Sequence, residues 1–293
     1  MIEKRLVQWY ASDAGIDLDI AEREIVLTYI LRILADSSLL EPLVFKGGTA
    51  IRKLFLGSQG RFSLDLDFTA LGEGEPEDLI LDIVGVFHDQ TYFGLTFSIP
   101  SADYYATSDS CGAEISYQHN WVTSGQFGIQ ISFRARPLLP IKVIELRREL
   151  YFDWLGVAPP EIPSLDLHEI VGEKIRATAQ RSRVRDLYDL YQLSSQRFDR
   201  EVVRRIAVIK CWETNFAFDP SALLERIGGG QYDWSDLRRL VRRGWETPPD
   251  RIIHAVQKEY AFLTRLSAEE MLLSSDPYGR KKQTYRVLVE SLQ

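Results

Sequence analysis

Cysteine is almost absent. Only Cys111 and Cys211 occur, far apart and without a CxxC, so neither a disulfide framework nor a cysteine zinc site is expected. Histidine is scarce as well. The 4 histidines are scattered, and each reads as a structural or exposed residue rather than a ligand. No apolar run is long enough to cross a bilayer. The N-terminus MIEKRLVQWYASDAGIDL lacks the long apolar core of a signal peptide, so a cytoplasmic protein with no membrane partner is expected. There is no excess of positive charge. A net charge of −7 argues against a nonspecific nucleic-acid coat and leaves open RNA binding through a local basic patch. No internal repeat and no low-complexity tract occur. What remains is ordinary for a globular protein: 293 residues, 45% hydrophobic and 26% charged, enough for one large domain or two smaller ones.

The stretch Phe45–Phe68, FKGGTAIRKLFLGSQGRFSLDLDF, carries two features that make chemical sense together. Leu43-Val44-Phe45 reads as a strand, Gly47-Gly48-Thr49 as a sharp turn and Ala50–Leu56 as a helix. Glycine tolerates the backbone angles such a turn needs. Thr49 stands where a helix N-cap belongs, its hydroxyl free to accept from the first turn or to face a ligand. Exposed amides and the positive end of the helix dipole make the junction an anion site. A strand–helix turn that binds nothing has the same residues. Leu64–Thr69 alternates as a half-buried strand, which puts Asp65 and Asp67 on one face. Two adjacent carboxylates repel unless a cation separates them. Magnesium, which takes carboxylate and phosphate oxygens, is the natural occupant. A solvated face, or pairing with Arg52 or Arg61, is the structural alternative. A phosphate cradle followed by a carboxylate pair favours the metal.

Elsewhere the pattern divides the chain. Asp19–Asp36 reads as an amphipathic helix with Ile25, Tyr29, Ile30, Ile33 and Leu34 on its apolar stripe. Leu71–Pro76 is a loop, and Pro76 starts the helix Glu77–Gln90. Leu95–Ile99, Ala113–Gln118, Gln126–Arg134 and Ile141–Leu146 read as strands. The prolines Pro159, Pro160 and Pro163 mark a boundary, after which the chain is nearly all helical. Within a helix ending at Gln180, Lys174 has Ile170, Val171, Ala177 and Thr178 as face neighbours. It either snorkels to solvent or projects into a cleft. Asp186 starts the next helix, Asp186–Ser195, where a negative charge is favoured. Further helices are expected at Glu201–Trp212, Pro220–Ile227, Ser235–Arg243, Pro249–Leu266 and Lys281–Leu292. Arginine pairs and Arg280-Lys281-Lys282 are scattered among Trp212, Trp234, Trp245 and Tyr278. Each cluster alone reads as a solvated face; together they suit a phosphate backbone and an unpaired base. The expectation is a two-domain α+β protein, with a mixed sheet and helices first and a C-terminal helical bundle second.

FKGGTAIRKLF…RFSLDLDF resembles the first motif of the AbiEii-type toxin nucleotidyltransferases, relatives of the DNA polymerase β-like nucleotidyltransferase superfamily. His168–Leu193, HEIVGEKIRATAQRSRVRDLYDLYQL, resembles that family's helical motif. These matches cover about a fifth of the chain. Leu64 stands where many relatives carry an acidic residue, at a position pointing away from the aspartate pair. The resemblance implies a nucleotidyltransferase core over residues 1–155 and a helical domain over 156–293 that closes the active site. It implies transfer of a nucleotide from an NTP to an acceptor with loss of pyrophosphate. The acceptor implied first is RNA, the tRNA 3′ end in particular, with translation stopped as the result. Mg²⁺ and a cognate antitoxin are implied with it. Asp65 and Asp67 would hold the metal, and Gly47, Gly48, Thr49 and Lys174 the nucleotide. Asp186 would act through Lys174 or the metal. Glu145 would be a third carboxylate or the base, although pairing with Lys142 or Arg147 explains it equally. A protein or small-molecule hydroxyl is the alternative acceptor. A non-catalytic RNA- or protein-binding module on this fold is the alternative from another class, against which the intact Asp65, Asp67 and Lys174 speak.

Overall fold

The computed structural model describes residues 2–72, 74–121, 124–134 and 136–292, so Glu73, in the loop expected at Leu71–Pro76, lies outside the described residues. The chain forms two compact units. The first comprises Met1–Arg136, Ile141–Leu165 and Arg239–Trp245; the second comprises Pro137–Pro140, Asp166–Arg238 and Glu246–Gln293.

In the first unit, helices α1 (Lys4–Ala14) and α2 (Leu18–Asp36) precede strand β1 (Leu43–Lys46). Helix α3 (Gly47–Ala50) follows at once and continues as a π-helical turn, Ile51–Leu56. Then come β2 (Leu66–Ala70), α4 (Pro76–Phe87), β3 (Thr91–Tyr92), β4 (Leu95–Ser98), β5 (Tyr104–Ala106), β6 (Ser110–His119) and β7 (Ser124–Ser132). Strand β8 (Lys142–Glu145), helix α5 (Phe152–Leu155) and β9 (Glu161–Ser164) complete the unit. The sheet runs β3-β4-β6-β7-β2-β1-β9-β8, with β5 on β6. It is mixed: β2 lies parallel to β7 and β1 to β9, and the other pairs are antiparallel.

Apolar residues at the centre of the sheet fix its register. Phe45 faces Phe68 across β1 and β2, both fully buried, with ring centroids 5.1 Å apart. Such a pair adds about 0.5–1.5 kcal/mol beyond burial. Helix α2 is buried nearly all round rather than along one stripe, with Glu22, Glu24 and Thr28 inside as well. Glu24 is tolerated because Arg52 and Lys53, from later in the chain, reach it, and Glu22 is hydrogen-bonded to His119. The proline-rich stretch read as a boundary instead forms β9, which pairs with β1 and β8, so the first unit continues to Leu165. Expected helix Ser235–Arg243 is cut to α10 (Ser235–Arg238). Its remainder is bound to the first unit: Leu240 carbonyl accepts from Phe62 N–H, and Arg239 and Arg243 pair with Asp17.

The second unit is helical: α6 (Leu167–Gln180), α7 (Val184–Leu193), α8 (Arg200–Glu213), α9 (Pro220–Gly229) and α10, then α11 (Pro249–Glu259), α12 (Ala268–Ser274) and α13 (Lys282–Glu290). Gly172 lets α6 and α8 close together, since a Cβ there would overlap Ile206. The buried Lys210 on α8 bridges to Glu169 on α6 at 2.6 Å, and Glu169 also accepts from the Leu138 and Leu139 amides. Burial opposes the Lys210 charge, but Glu173 and Glu169 outweigh it and raise the pKa.

Candidate active site

The glycine turn is built around a carboxylate. Gly47 has φ +78°, a conformation open to glycine. A Cβ there would overlap Asp67 Oδ2 and lie 2.8 Å from Asp67 Cβ, so the Asp67 side chain lies directly against the missing methyl. A Cβ on Gly48 would meet Arg61 Nη2 at 2.8 Å and Ser63 Oγ at 2.9 Å. The turn is therefore bordered by Asp67 on one glycine and by Arg61 and Ser63 on the next. Strand β2 starts two residues later than expected, at Leu66 rather than Leu64. Asp65 sits at the bend before it, exposed, and its Oδ1 accepts from Gly128 N–H at 3.1 Å. Asp67 lies within β2, opposite Lys46 on one side and Gln130 on the other. Thr49 is not the helix cap. Helix α3 begins at Gly47, and the buried Thr49 hydroxyl donates to the Asp65 carbonyl. It ties the turn to the first aspartate.

The loop between the two motifs is wrapped on one cation. Arg52 is fully buried. Its Nε donates to Glu24 at 3.0 Å, its Nη1 to the Gly57 carbonyl at 3.1 Å and to the Gly60 carbonyl, and its guanidinium lies 3.8 Å over the Phe62 ring. Lys53 donates to Thr28 Oγ1 and the Glu24 carbonyl. Burial alone would raise the Glu24 carboxyl; Arg52 and then Lys53 outweigh it and hold it below the usual range. Arg52 therefore serves Glu24 and the loop, rather than the aspartate pair. A π-helical turn beside a site is a common functional irregularity.

In the second unit, Lys174 is 11% exposed and bridges two buried carboxylates, Asp186 at 3.1 Å and Asp189 at 2.7 Å. Arg181 adds Nε to Asp186 Oδ2 at 2.7 Å. Burial works against the Asp186 charge, yet Lys174 and Arg181 prevail and hold its pKa down to about 2. Lys174 does not snorkel. Asp186 lies in the first turn of α7, its oxygens taken by Lys174 and Arg181, so it positions the lysine. Asp189, one turn further along α7, holds the same lysine. Arg185 pairs with Asp236.

Glu145 is not brought to the aspartates. It is exposed on β8 opposite Glu161, with β9 and β1 between it and β2. Three strand spacings put it roughly 14 Å away across the sheet. The antiparallel register also carries it away from the Lys46 end of β1, because Lys142, not Glu145, pairs with Ser164.

The sequence profile described as nucleotidyl transferase AbiEii toxin, type IV toxin–antitoxin system, matches residues 29–220. The chain belongs to the AbiEii nucleotidyltransferase toxin family. Among solved structures it is similar to MenT4, a nucleotidyltransferase toxin from Mycobacterium tuberculosis H37Rv. That match has a TM-score of 0.83 and 23% identity, and covers 100% of each chain. No curated protein matches. As an AbiEii toxin the chain is an NTP-dependent nucleotidyltransferase of a type IV toxin–antitoxin system, which implies a cognate antitoxin.

The matched segment of this AbiEii chain includes the glycine turn, both aspartates and the Lys174 cluster. Among the described residues no group of three or more His, Cys, Asp or Glu converges as a metal site. Two carboxylates still fit Mg²⁺, which is ordinarily held by one or two carboxylates and completed by water and substrate phosphates. Sequence reasoning missed Arg61 and Ser63 over Gly48. It also missed a cleft of about 480 Å³ beside Asp65 on β5, β6 and β7. Alternation in β7, with Gln126, Gly128 and Gln130 on one face, is the signal that marks that cleft.

Proposed function

We propose that this toxin transfers a nucleotide from an NTP to the 3′ end of an RNA, with tRNA the leading acceptor, and so stops translation in the cytoplasm. The observation that carries the reading is the Asp67 carboxylate set against Gly47 in the glycine turn, with Asp65 tied to the same turn through Thr49. Asp65 and Asp67 would hold Mg²⁺, which when bound neutralises charge on the triphosphate. The Gly47–Gly48 turn offers amides to the terminal phosphates, with Arg61 adding positive charge at Gly48. Lys174, held by Asp186 and Asp189 within the second unit, is the lysine that the family resemblance would assign to the nucleotide, where a positive charge would offset developing negative charge. The acceptor hydroxyl oxygen bonds to the α-phosphorus, the bond to the bridging oxygen breaks and pyrophosphate leaves. The hydroxyl proton passes to solvent.

An RNA acceptor is favoured by a surface turn of the second unit. Tyr278 is 74% exposed, and the Arg280 guanidinium lies 4.9 Å over its ring. Lys281 and Lys282 are exposed beside it. Most other basic clusters are taken up by ion pairs, as Arg204 is by Glu270 and Arg242 by Glu149. Incubation with each labelled NTP, Mg²⁺ and total RNA tests the reading. Label in an RNA band of tRNA size is expected. Label that enters only protein or small molecules would overturn the RNA acceptor.

A further inference from the structure

The cleft beside Asp65 has a floor of bare backbone. Residues paired in register share a face of the sheet. Asp67 on β2 pairs with Gln130 on β7, Gln130 with Gly112 on β6, and Gly112 with Tyr105 on β5. In the next row, Gly128 on β7 pairs with Glu114 on β6, and the Asp65 carboxylate accepts from the Gly128 amide. Both rows have a glycine where a side chain would stand. A Cβ on Gly112 would lie 3.0 Å from the Tyr105 ring, so that ring lies over the gap and walls the floor. A Cβ on Gly128 would lie 3.3 Å from Asp65 Oδ1. The opposite face of β7 is filled by Phe127, Ile129 and Ile131, all buried. The open face is therefore a flat shelf bordering the aspartates.

The lining selects the occupant. The cleft holds Asp65, Asp103 and Glu114 against a single arginine, Arg23. That excess of negative charge turns a phosphate chain away. Gln130 carries an amide that both donates and accepts, which suits the mixed edge of a nucleobase, while the Gln126 amide donates to Glu114. Among the described residues the buried Arg23 Nε has no hydrogen-bond partner, although the same side chain interacts with Tyr117. Tyr105, 46% exposed, offers a ring face. The volume of about 480 Å³ lies in the range of small-ligand pockets.

We propose that this cleft is a nucleoside slot, holding the uncharged base and sugar of a nucleotide whose phosphate lies at the aspartates. The proposal rests on the nucleotidyl-transfer reading of the site. The nucleoside belongs either to the incoming NTP or to the 3′ end of the RNA acceptor. Asp65 touches both the glycine turn and the shelf: its carbonyl accepts from the Thr49 hydroxyl and its carboxylate from the Gly128 amide.

Tyr105→Ala, Tyr105→Phe and Gln130→Ala separate the possibilities. Each NTP is titrated calorimetrically, and a short fluorescein-labelled RNA with a free 3′ hydroxyl is titrated by anisotropy; KM and kcat are then measured for both. Losing a stacking face weakens binding roughly ten- to a hundredfold. Tyr105→Ala is expected to lose that much for one of the two ligands, with KM moving more than kcat, and Tyr105→Phe to restore it. A loss confined to NTP assigns the slot to the incoming base; a loss confined to RNA assigns it to the acceptor end. Unchanged affinity for both in Tyr105→Ala and Gln130→Ala would overturn the slot. A wild-type protein that transfers nothing would overturn the transfer reading instead, and the two binding titrations would still decide the slot.

Discussion

Replacing Gly47 with alanine adds one carbon where backbone and carboxylate meet. The backbone cost comes first. At φ +78° a residue with a Cβ is disfavoured by about 1–2 kcal/mol. The steric cost comes second. The new Cβ would overlap Asp67 Oδ2 and lie 2.8 Å from Asp67 Cβ, so the carboxylate must leave its rotamer, at about 1 kcal/mol. The backbone of β2 cannot yield easily, because it is paired with β1 and β7 on both sides. The sum is about 2–3 kcal/mol of stability, and each kcal/mol lowers Tm by about 2–4 °C in a domain of 150–250 residues. Displacement of a site group by about 1 Å costs roughly a hundredfold in rate. Gly48→Ala is the control. Its Cβ would meet Arg61 Nη2 and Ser63 Oγ, the far ends of side chains able to swing away, so the loss should be several times smaller. Thermal melting by circular dichroism and transfer of label from NTP measure both effects. Wild-type transfer in Gly47→Ala, or greater damage in Gly48→Ala, would refute the reasoning.

Lys174→Met removes the cation shared by two buried carboxylates and should cost about 3 kcal/mol as well as transfer. Adding Asp189→Asn should recover stability but not activity, as read by melting and transfer assays on the same samples. The low pKa of Asp186 predicts a pH dependence. A carboxylate depressed on folding stabilises above its unfolded pKa, so its contribution is complete above about pH 4 and is lost as pH falls towards about 2. The Tm difference between wild type and Asp186→Asn should shrink over that interval. Glu145→Gln should leave transfer unchanged, because Glu145 faces Glu161 at the far side of β1 and β9; a hundredfold loss of kcat would contradict the register.

Local chemistry was readable in the sequence; long-range partners were not. Glycine at a strand–helix turn has one physical explanation, and Gly47 adopts the expected positive φ. Asp65 falls outside β2 because Gly128, 63 residues on, supplies an amide to its carboxylate. Thr49 is the residue type expected at a cap, yet its hydroxyl goes to the Asp65 carbonyl across the turn. Lys174 resembles a snorkelling lysine until α7 brings Asp186 and Asp189 against it. The pattern of α2 hides how much of it is buried because Arg52 and Lys53 neutralise Glu24 from outside the helix. Glu145 shows the limit of strand patterns, since alternation gives a face but not a neighbour. One signal was present and unused: Ser267 and Glu270 form the capping box that starts α12.

The most direct measurement is transfer of label from an α-labelled NTP by wild type, Asp65→Asn and Asp67→Asn in Mg²⁺, with folding verified by melting. Each substitution keeps the shape of the side chain and removes the charge that would hold the metal. The account predicts that wild type labels its acceptor, that chelation abolishes labelling, and that both variants stay folded and inactive. Wild-type labelling by either folded variant would contradict it.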